Sequence, residues 1–274
     1  MLRRNAEELR GEPFASPAGP RYIQSVAHLG EVTRAIRDGG RLTVLTGAGI
    51  SAESGIRTFR DSGGLWEEHS LEEVATPEGF ARDPALVHRF YNERRRQLPR
   101  YEPNTAHRAL AELEARLGER FTLITQNVDD LHERGGSRRV LHMHGEILKA
   151  RCARCEAVLE WRGDLSVAER CRSCGGGLRP HVVWFGEMPF YMEEEIPRAL
   201  EAEVFAAIGT SGLVYPAAGF AAMAKAAGAL TVEMNLEPTF QRHLFDVVLA
   251  GKATEMVPEL AKSKAASTPG TGSS

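Results

Sequence analysis

Residues 41–61 read RLTVLTGAGISAESGIRTFRD, and this stretch sets the architecture. A short apolar run, RLTVLT, feeds without a break into Gly47-Ala48-Gly49. Such a run reads as a strand buried in a sheet. The Gly-x-Gly that follows lets the backbone turn sharply and approach a pyrophosphate, whose charge is met by amides at a helix start. A third glycine of the usual G-x-G-x-x-G fingerprint would stand where this chain has Ala52, so an ordinary dehydrogenase fits poorly. Taken alone, the two glycines equally describe a tight turn that simply needs glycine.

Working outward, comparable apolar runs occur at residues 121–125, 204–209 and 230–235. Helical patterns separate them. Val26, Leu29, Val32 and Ile36 recur at three-to-four spacing and end at Gly39-Gly40, and residues 107–117 and 216–227 are apolar-periodic. The alternation predicts an α/β fold, a Rossmann-like doubly wound parallel sheet with helices on both faces. Residues 149–179, short, Gly-rich and cysteine-bearing, break the rhythm and read as a small zinc-binding insert domain. Residues 1–24 carry Gly11, Pro13, Pro17, Gly19 and Pro20 and are expected to be a flexible lead-in. The expected catalytic domain is 25–262, followed by a disordered tail over 263–274.

At 274 residues and 42% hydrophobic content, the chain can bury one substantial core. Lys and Arg number 34 against 37 Asp and Glu, and the net charge of -3 gives no pull toward nucleic acid or an anionic membrane. No apolar h-region opens the chain, and no run approaches the roughly 20 apolar residues of a bilayer span. A cytoplasmic monomer with no specific nucleic-acid partner is expected.

Three constellations carry chemistry. TQNVDDLH, residues 125–132, follows a predicted strand, so Gln126, Asn127 and Asp129 would project into a ligand crevice and bind ribose hydroxyls. On the residues alone, Asp129 reads first as a cap for the next helix. HMHGEI, residues 142–147, offers His144 as a general base, with a glycine beside it that would leave room for substrate. His142 and His181 compete for that role, and any one of the three could be a satisfied structural histidine. Cys152 and Cys155, then fifteen intervening residues, then Cys171 and Cys174, match a closed four-thiolate zinc site, which is structural rather than catalytic. The alternative is a pair of redox dithiols, for which the thioredoxin-like context is missing.

In order, GAGISAESGIRTFR, TQNVDDLH, HMHGEI, the paired C-x-x-C knuckles, RPHVVWFGEMP, GTSGLVYPA and NLEP resemble the motif series of the sirtuins, closest to their bacterial CobB-type members. The resemblance runs over residues 26–260. It implies an NAD-dependent protein-lysine deacylase that releases nicotinamide and O-acyl-ADP-ribose. Gly47, Ala48, Gly49, Glu53, Phe59 and Arg60 would then form the NAD loop. Gln126, Asn127, Val128 and Asp129 would meet nicotinamide and ribose, and Gly209, Thr210, Ser211, Asn235, Leu236, Glu237 and Ala253 the adenosine side. His144 and Asn127 become the catalytic residues, with His144 as base. Val183, Trp184, Phe185 and Gly186 would pair with the backbone of the acylated protein as an added strand.

Within FYNERRRQL, residues 90–98, Tyr91 and Arg94 stand three apart on one helical face. They match the carboxylate-binding positions of sirtuins that remove succinyl and malonyl groups, and Ala75 matches the small residue that widens their acyl pocket. Without the resemblance this arginine-rich helix reads as a solvated basic face. Two other classes compete with deacylation: a mono-ADP-ribosyltransferase using the same NAD site, and a non-enzymatic nucleic-acid module, against which the net charge argues.

Overall fold

The computed structural model describes residues 21–23, 29–57 and 69–262. Phe59 and Arg60 lie outside the described residues, as do most of the expected lead-in and the tail over 263–274. Among the described residues ten strands follow one another: β1 (Arg21–Ile23), β2 (Leu42–Thr46), β3 (Phe121–Thr125), β4 (Val140–His142), β5 (Gly145–Cys152), β6 (Val158–Glu160), β7 (Leu178–Val182), β8 (Val204–Ile208), β9 (Leu230–Asn235) and β10 (Val247–Ala250). The helices are α1 (Leu29–Arg37), α2 (Ala48–Ala52), α3 (Leu71–Val74), α4 (Pro77–Arg82), α5 (Pro84–Gln97), α6 (Thr105–Leu117), α7 (Leu131–Arg134), α8 (Glu195–Ala199), α9 (Phe220–Ala226) and α10 (Ala253–Ala261).

Seven strands form one sheet in the order β1-β10-β9-β8-β2-β3-β4, and every neighbouring pair is parallel. The alternation along β2 shows why its sequence is apolar throughout. Leu42 and Val44 pack on one face with Val32 and Ile36 of α1, Leu110 and Leu113 of α6, and Val257 and Leu260 of α10. Leu45 points the other way, into a second core with Phe205, Ile196 of α8, and Phe220 and Ala224 of α9. The polar Thr43 on that second face is satisfied by donating its hydroxyl to the Ala199 carbonyl at 2.7 Å. Helices therefore cover both faces, as the doubly wound reading requires. Among the described residues no helix is long and apolar enough to cross a membrane.

Four boundaries differ from expectation. Arg21–Ile23 pairs with β10, so the lead-in is tied to the sheet edge before residue 24. The run at 204–209 stops at Ile208 because Gly209 turns out of the sheet at φ +62°. The pattern at 216–227 divides into a 3-10 turn, Ala217–Gly219, and α9. The insert is wider than 149–179, since β6-β5-β7 form an antiparallel sheet that begins at Gly145 and closes at Val182. Its small core joins Ala150, Leu165 and Leu178 to Cys152 and Cys171. A further excursion, α3 to α5, folds over this sheet and buries Val87, Phe90 and Tyr91 against Ile147, Val182 and Trp184.

Candidate active site

The chain runs from β2 outward to β3 on one side, while β8 flanks β2 on the other, so the connections diverge at the carboxyl end of β2. Ligand crevices in open parallel sheets form at such a point. Here a cleft of about 1280 Å³ lies between the sheet ends and the excursion that carries α5. Gly47, Ala48, Gly49 and Glu53 line it, as do Gln126, Asn127, Val128, Asp129, Gly209, Thr210, Ser211, Asn235, Leu236 and Ala253. Glu237, expected beside them, is exposed and does not line the cleft.

The glycines are required by contact between two turns. A Cβ on Gly49 would meet the Gly209 Cα at 2.7 Å, and one on Gly47 would meet the Gly209 carbonyl oxygen at 2.9 Å. The Gly49 amide donates to that carbonyl at 2.8 Å. The ends of the next strands are laced together: Gln126 Nε2 donates to Thr210 Oγ1 at 2.9 Å, and Asn235 Nδ2 to the Thr210 carbonyl at 2.7 Å. Glu53 accepts from the Thr254 amide and hydroxyl at 3.2 and 2.7 Å, which brings the start of α10, with Ala253, to the rim.

Asn127 and Asp129 are buried, and their side chains belong to a polar network under the cleft. Asn127 Nδ2 donates to the Gly47 carbonyl at 3.1 Å and to Ser51 Oγ at 3.3 Å. Asp129 accepts from Ser51 Oγ at 3.3 Å and from the Leu131 amide at 3.1 Å, so it braces the start of α7 while also lining the cleft. Burial pushes its carboxyl up to about 6.

The three histidines now separate. His142 is 5% exposed and spends both ring nitrogens inside, on the Asn127 carbonyl at 3.0 Å and Glu133 Oε1 at 2.8 Å. His181 stacks on Phe190, with ring centroids 4.8 Å apart, outside the cleft lining. His144 lines the cleft, and its Nδ1 lies 3.1 Å from the Gln126 carbonyl. A carbonyl only accepts, so Nδ1 carries the proton and neutral Nε2 keeps a lone pair. Burial lowers the pKa of His144, holding the ring neutral near physiological pH. Gly145 does not serve to clear space for substrate: at φ +82°, a Cβ there would collide with the His181 carbonyl oxygen of β7 at 2.2 Å.

Tyr91, Arg94 and Ala75 line the same cleft. The Tyr91 hydroxyl accepts from Trp184 Nε1 at 3.0 Å, which leaves its own proton to donate elsewhere. Burial raises its pKa to about 12, so it remains a donor. The Arg94 guanidinium lies 3.4 Å over the Phe90 ring and donates to the Phe90 carbonyl at 3.1 Å, which fixes its direction. Val183, Trp184, Phe185 and Gly186 line the cleft too, but three of their amides are already used. Val183 donates to the His144 carbonyl, Trp184 to Glu187 Oε2 and Phe185 to the Ala75 carbonyl, at 2.9, 2.8 and 2.9 Å. These three amides are therefore not open to the strand pairing expected there.

Away from the cleft, the sulfur atoms of Cys152, Cys155, Cys171 and Cys174 lie within 4.8 Å of one another. Cys152 and Cys174 are 3.4 Å apart, and Cys155 and Cys171 3.7 Å. Tetrahedral zinc with bonds of about 2.3 Å places its sulfurs about 3.8 Å apart, so the set fits one such ion. Amides of Arg154 and Gly176 donate to the Cys152 and Cys174 sulfurs at 3.3 and 3.4 Å, an arrangement that favours thiolates.

Residues 47–216 match the model of the Sir2 family. The chain belongs to that family. It is 60% identical over 222 residues to an NAD-dependent protein deacylase of Yersinia pestis, covering 80% of each chain. A Salmonella typhimurium protein of the same name is 55% identical over 243 residues, covering 87% of this chain and 89% of the other. A crystal structure of a Sir2 homologue with NAD is 43% identical, covers 85% of this chain and 92% of its own, and superposes with a TM-score of 0.77.

Two features of this Sir2 chain are not visible in its sequence. Ser51, 1% exposed, joins Asn127, Asp129 and His107 Nε2, the last at 3.4 Å, and its only sequence signal is its place one turn after Gly47. Trp184, expected on the peptide side, also orients Tyr91. The four-cysteine site gives a direct stability test. A bound structural zinc contributes folding free energy, and each kcal/mol is worth about 2–4 °C in a domain of this size. Cys152→Ser should therefore lower Tm by about 10 °C, with zinc falling below one ion per chain by metal analysis. Zinc loss with an unchanged Tm would contradict a structural metal.

Proposed function

We propose that this Sir2 protein removes acyl groups from protein lysines while consuming NAD, and that it takes succinyl and malonyl as well as acetyl groups. The observation that carries the reading is a neutral, cleft-lining His144 in the crevice that also holds the Gly47–Gly209 turn contact. A base near neutral pH and a backbone surface for a dinucleotide share one space. In this reading Gly47, Ala48, Gly49 and Glu53 hold the pyrophosphate side, Gln126, Asn127, Val128 and Asp129 the nicotinamide ribose, and Gly209, Thr210, Ser211, Asn235, Leu236 and Ala253 the adenosine side.

The chemistry follows from the arrangement the family resemblance implies. The amide oxygen of the acyl-lysine attacks the anomeric carbon of NAD, and the carbon–nitrogen bond breaks with its electron pair leaving on nicotinamide. An imidate cation results. His144 Nε2 takes a proton relayed through the ribose hydroxyls, so a ribose oxygen attacks the imidate carbon. Water then completes the transfer, freeing the lysine amine and O-acyl-ADP-ribose. Zinc has no part in these steps. Its chemistry, if bound by the four cysteines, is to hold the insert folded. Thiolate ligands of this kind suit the reducing cytoplasm, where we place the protein.

The Tyr91 hydroxyl and Arg94 guanidinium would receive the terminal carboxylate of an acidic acyl chain, a charge-assisted pairing. Ala75, small and 3% exposed, keeps the pocket wide. The test is the fate of label from NAD carrying radioactive adenine. With an acylated peptide we expect the label in a small acylated ADP-ribose. Label retained on the protein substrate would replace this reading with ADP-ribosyl transfer.

A further inference from the structure

Asn92, Arg95 and Arg96 interleave with Tyr91 and Arg94 along α5 and engage the cysteine-bearing insert. Asn92, 6% exposed, commits its whole amide to one residue there: Nδ2 donates to the Leu165 carbonyl at 2.9 Å, and Oδ1 accepts from the Leu165 amide at 2.9 Å. Arg95, 2% exposed, donates from Nε to the Ile147 carbonyl at 2.9 Å. Its Nη1 donates to Asn92 Oδ1 at 2.7 Å and to the Gly163 carbonyl at 3.3 Å. Arg96 forms an ion pair with Asp164 at the surface, which adds little. Leu165 is itself fixed, 1% exposed in the core that holds Cys152 and Cys171.

Burying a guanidinium among neutral acceptors is costly, and removing one partner of such a set leaves the others unsatisfied. What the arrangement secures is the rotation of α5 about its own axis. Tyr91 and Arg94 point into the cleft from that helix, and a carboxylate must meet both at once. A misplacement of about 1 Å can cost on the order of 10²-fold in rate. An acetyl group has no polar terminus, so a small rotation changes little for it.

We propose that Asn92 and Arg95 are positioning residues for acyl specificity, clamping α5 to the 163–165 segment so that Tyr91 and Arg94 present one carboxylate site. The proposal rests on the acidic-acyl reading above. The experiment compares kcat/KM for matched succinyl-lysine and acetyl-lysine peptides. In Asn92→Ala the succinyl value should fall by about 10-fold or more, chiefly through KM, with the acetyl value within about twofold of the wild type. Asn92→Asp, which keeps the acceptor for Leu165 and Arg95, should recover part of the loss. If Asn92→Ala does not fold, Arg95→Lys keeps charge and bulk while losing the fork, and should lower the succinyl-to-acetyl ratio by about 3-fold or more. Equal loss of both activities, or an unchanged ratio in a folded variant, overturns the clamp. Arg94→Met separates the two readings. If it lowers the ratio and Asn92→Ala does not, the clamp alone fails. If Arg94→Met leaves the ratio unchanged, the carboxylate pocket fails and the clamp with it.

Discussion

Replacing Tyr91 by Phe and Arg94 by Met together lowers kcat/KM for a succinyl-lysine peptide by about 10²–10⁴-fold and leaves that for an acetyl-lysine peptide within about threefold. The magnitude comes from two hydrogen bonds to a charged group. Each is worth about 1.5–3 kcal/mol net, and every 1.4 kcal/mol is tenfold. Both residues line the cleft, and Trp184 Nε1 already donates to the Tyr91 hydroxyl, so the phenol proton is available to the ligand. With its pKa raised to about 12 by burial, Tyr91 stays a donor across any usable pH. Phe and Met keep the packing against Phe90 and Trp184 nearly intact. Steady-state kinetics on the two peptides decides the matter. Equal loss of both activities would show that the pair supports the fold and not the acyl chain.

Much of this site is legible in the amino-acid sequence. Strands β2, β3, β8 and β9 are apolar enough to read directly because both their faces are buried, and each delivers a motif at its carboxyl end, on the same side of the parallel sheet. The cysteine spacing likewise carries its own geometry to the sulfur cluster. What stays hidden depends on partners far away in sequence. β10 is only four residues long and follows no turn signal, and β4 is three residues, so neither rises above its surroundings. Arg95 sits in a run of three arginines that reads as a solvated face, yet two of its acceptors, the Ile147 and Gly163 carbonyls, lie more than 50 positions away. Gly145 reads as clearance for substrate because the sequence cannot show that β7 passes behind it. The same holds for Val183 and Phe185, whose amides are occupied by His144 and Ala75.

His144→Ala should cost about 10²–10⁴ in kcat/KM with every acyl peptide, the usual span for a positioned general base. The fold should survive, because His144 is only half-buried and its hydrogen bond to Gln126 is one interaction of about 1 kcal/mol, or less than about 4 °C in Tm. The pH dependence gives a second handle with a definite sign. Catalysis needs the neutral ring, and burial lowers the His144 pKa below its ordinary value of 6.5. Wild-type kcat/KM should thus stay level through neutral pH and fall only as the pH drops through that lowered pKa. Near-wild-type activity in a folded His144→Ala protein would remove the residue from the chemistry. A limb set by His142 is excluded on direction alone, since Glu133 helps to raise its pKa.

The most direct measurement is nicotinamide release from NAD in the presence of peptides identical except for an acetyl-lysine, a succinyl-lysine or an unmodified lysine. The account predicts release that depends on acylation, with the succinyl peptide at least comparable to the acetyl one. Release that proceeds equally with the unmodified peptide would contradict it, because the acyl oxygen would then have no part in displacing nicotinamide.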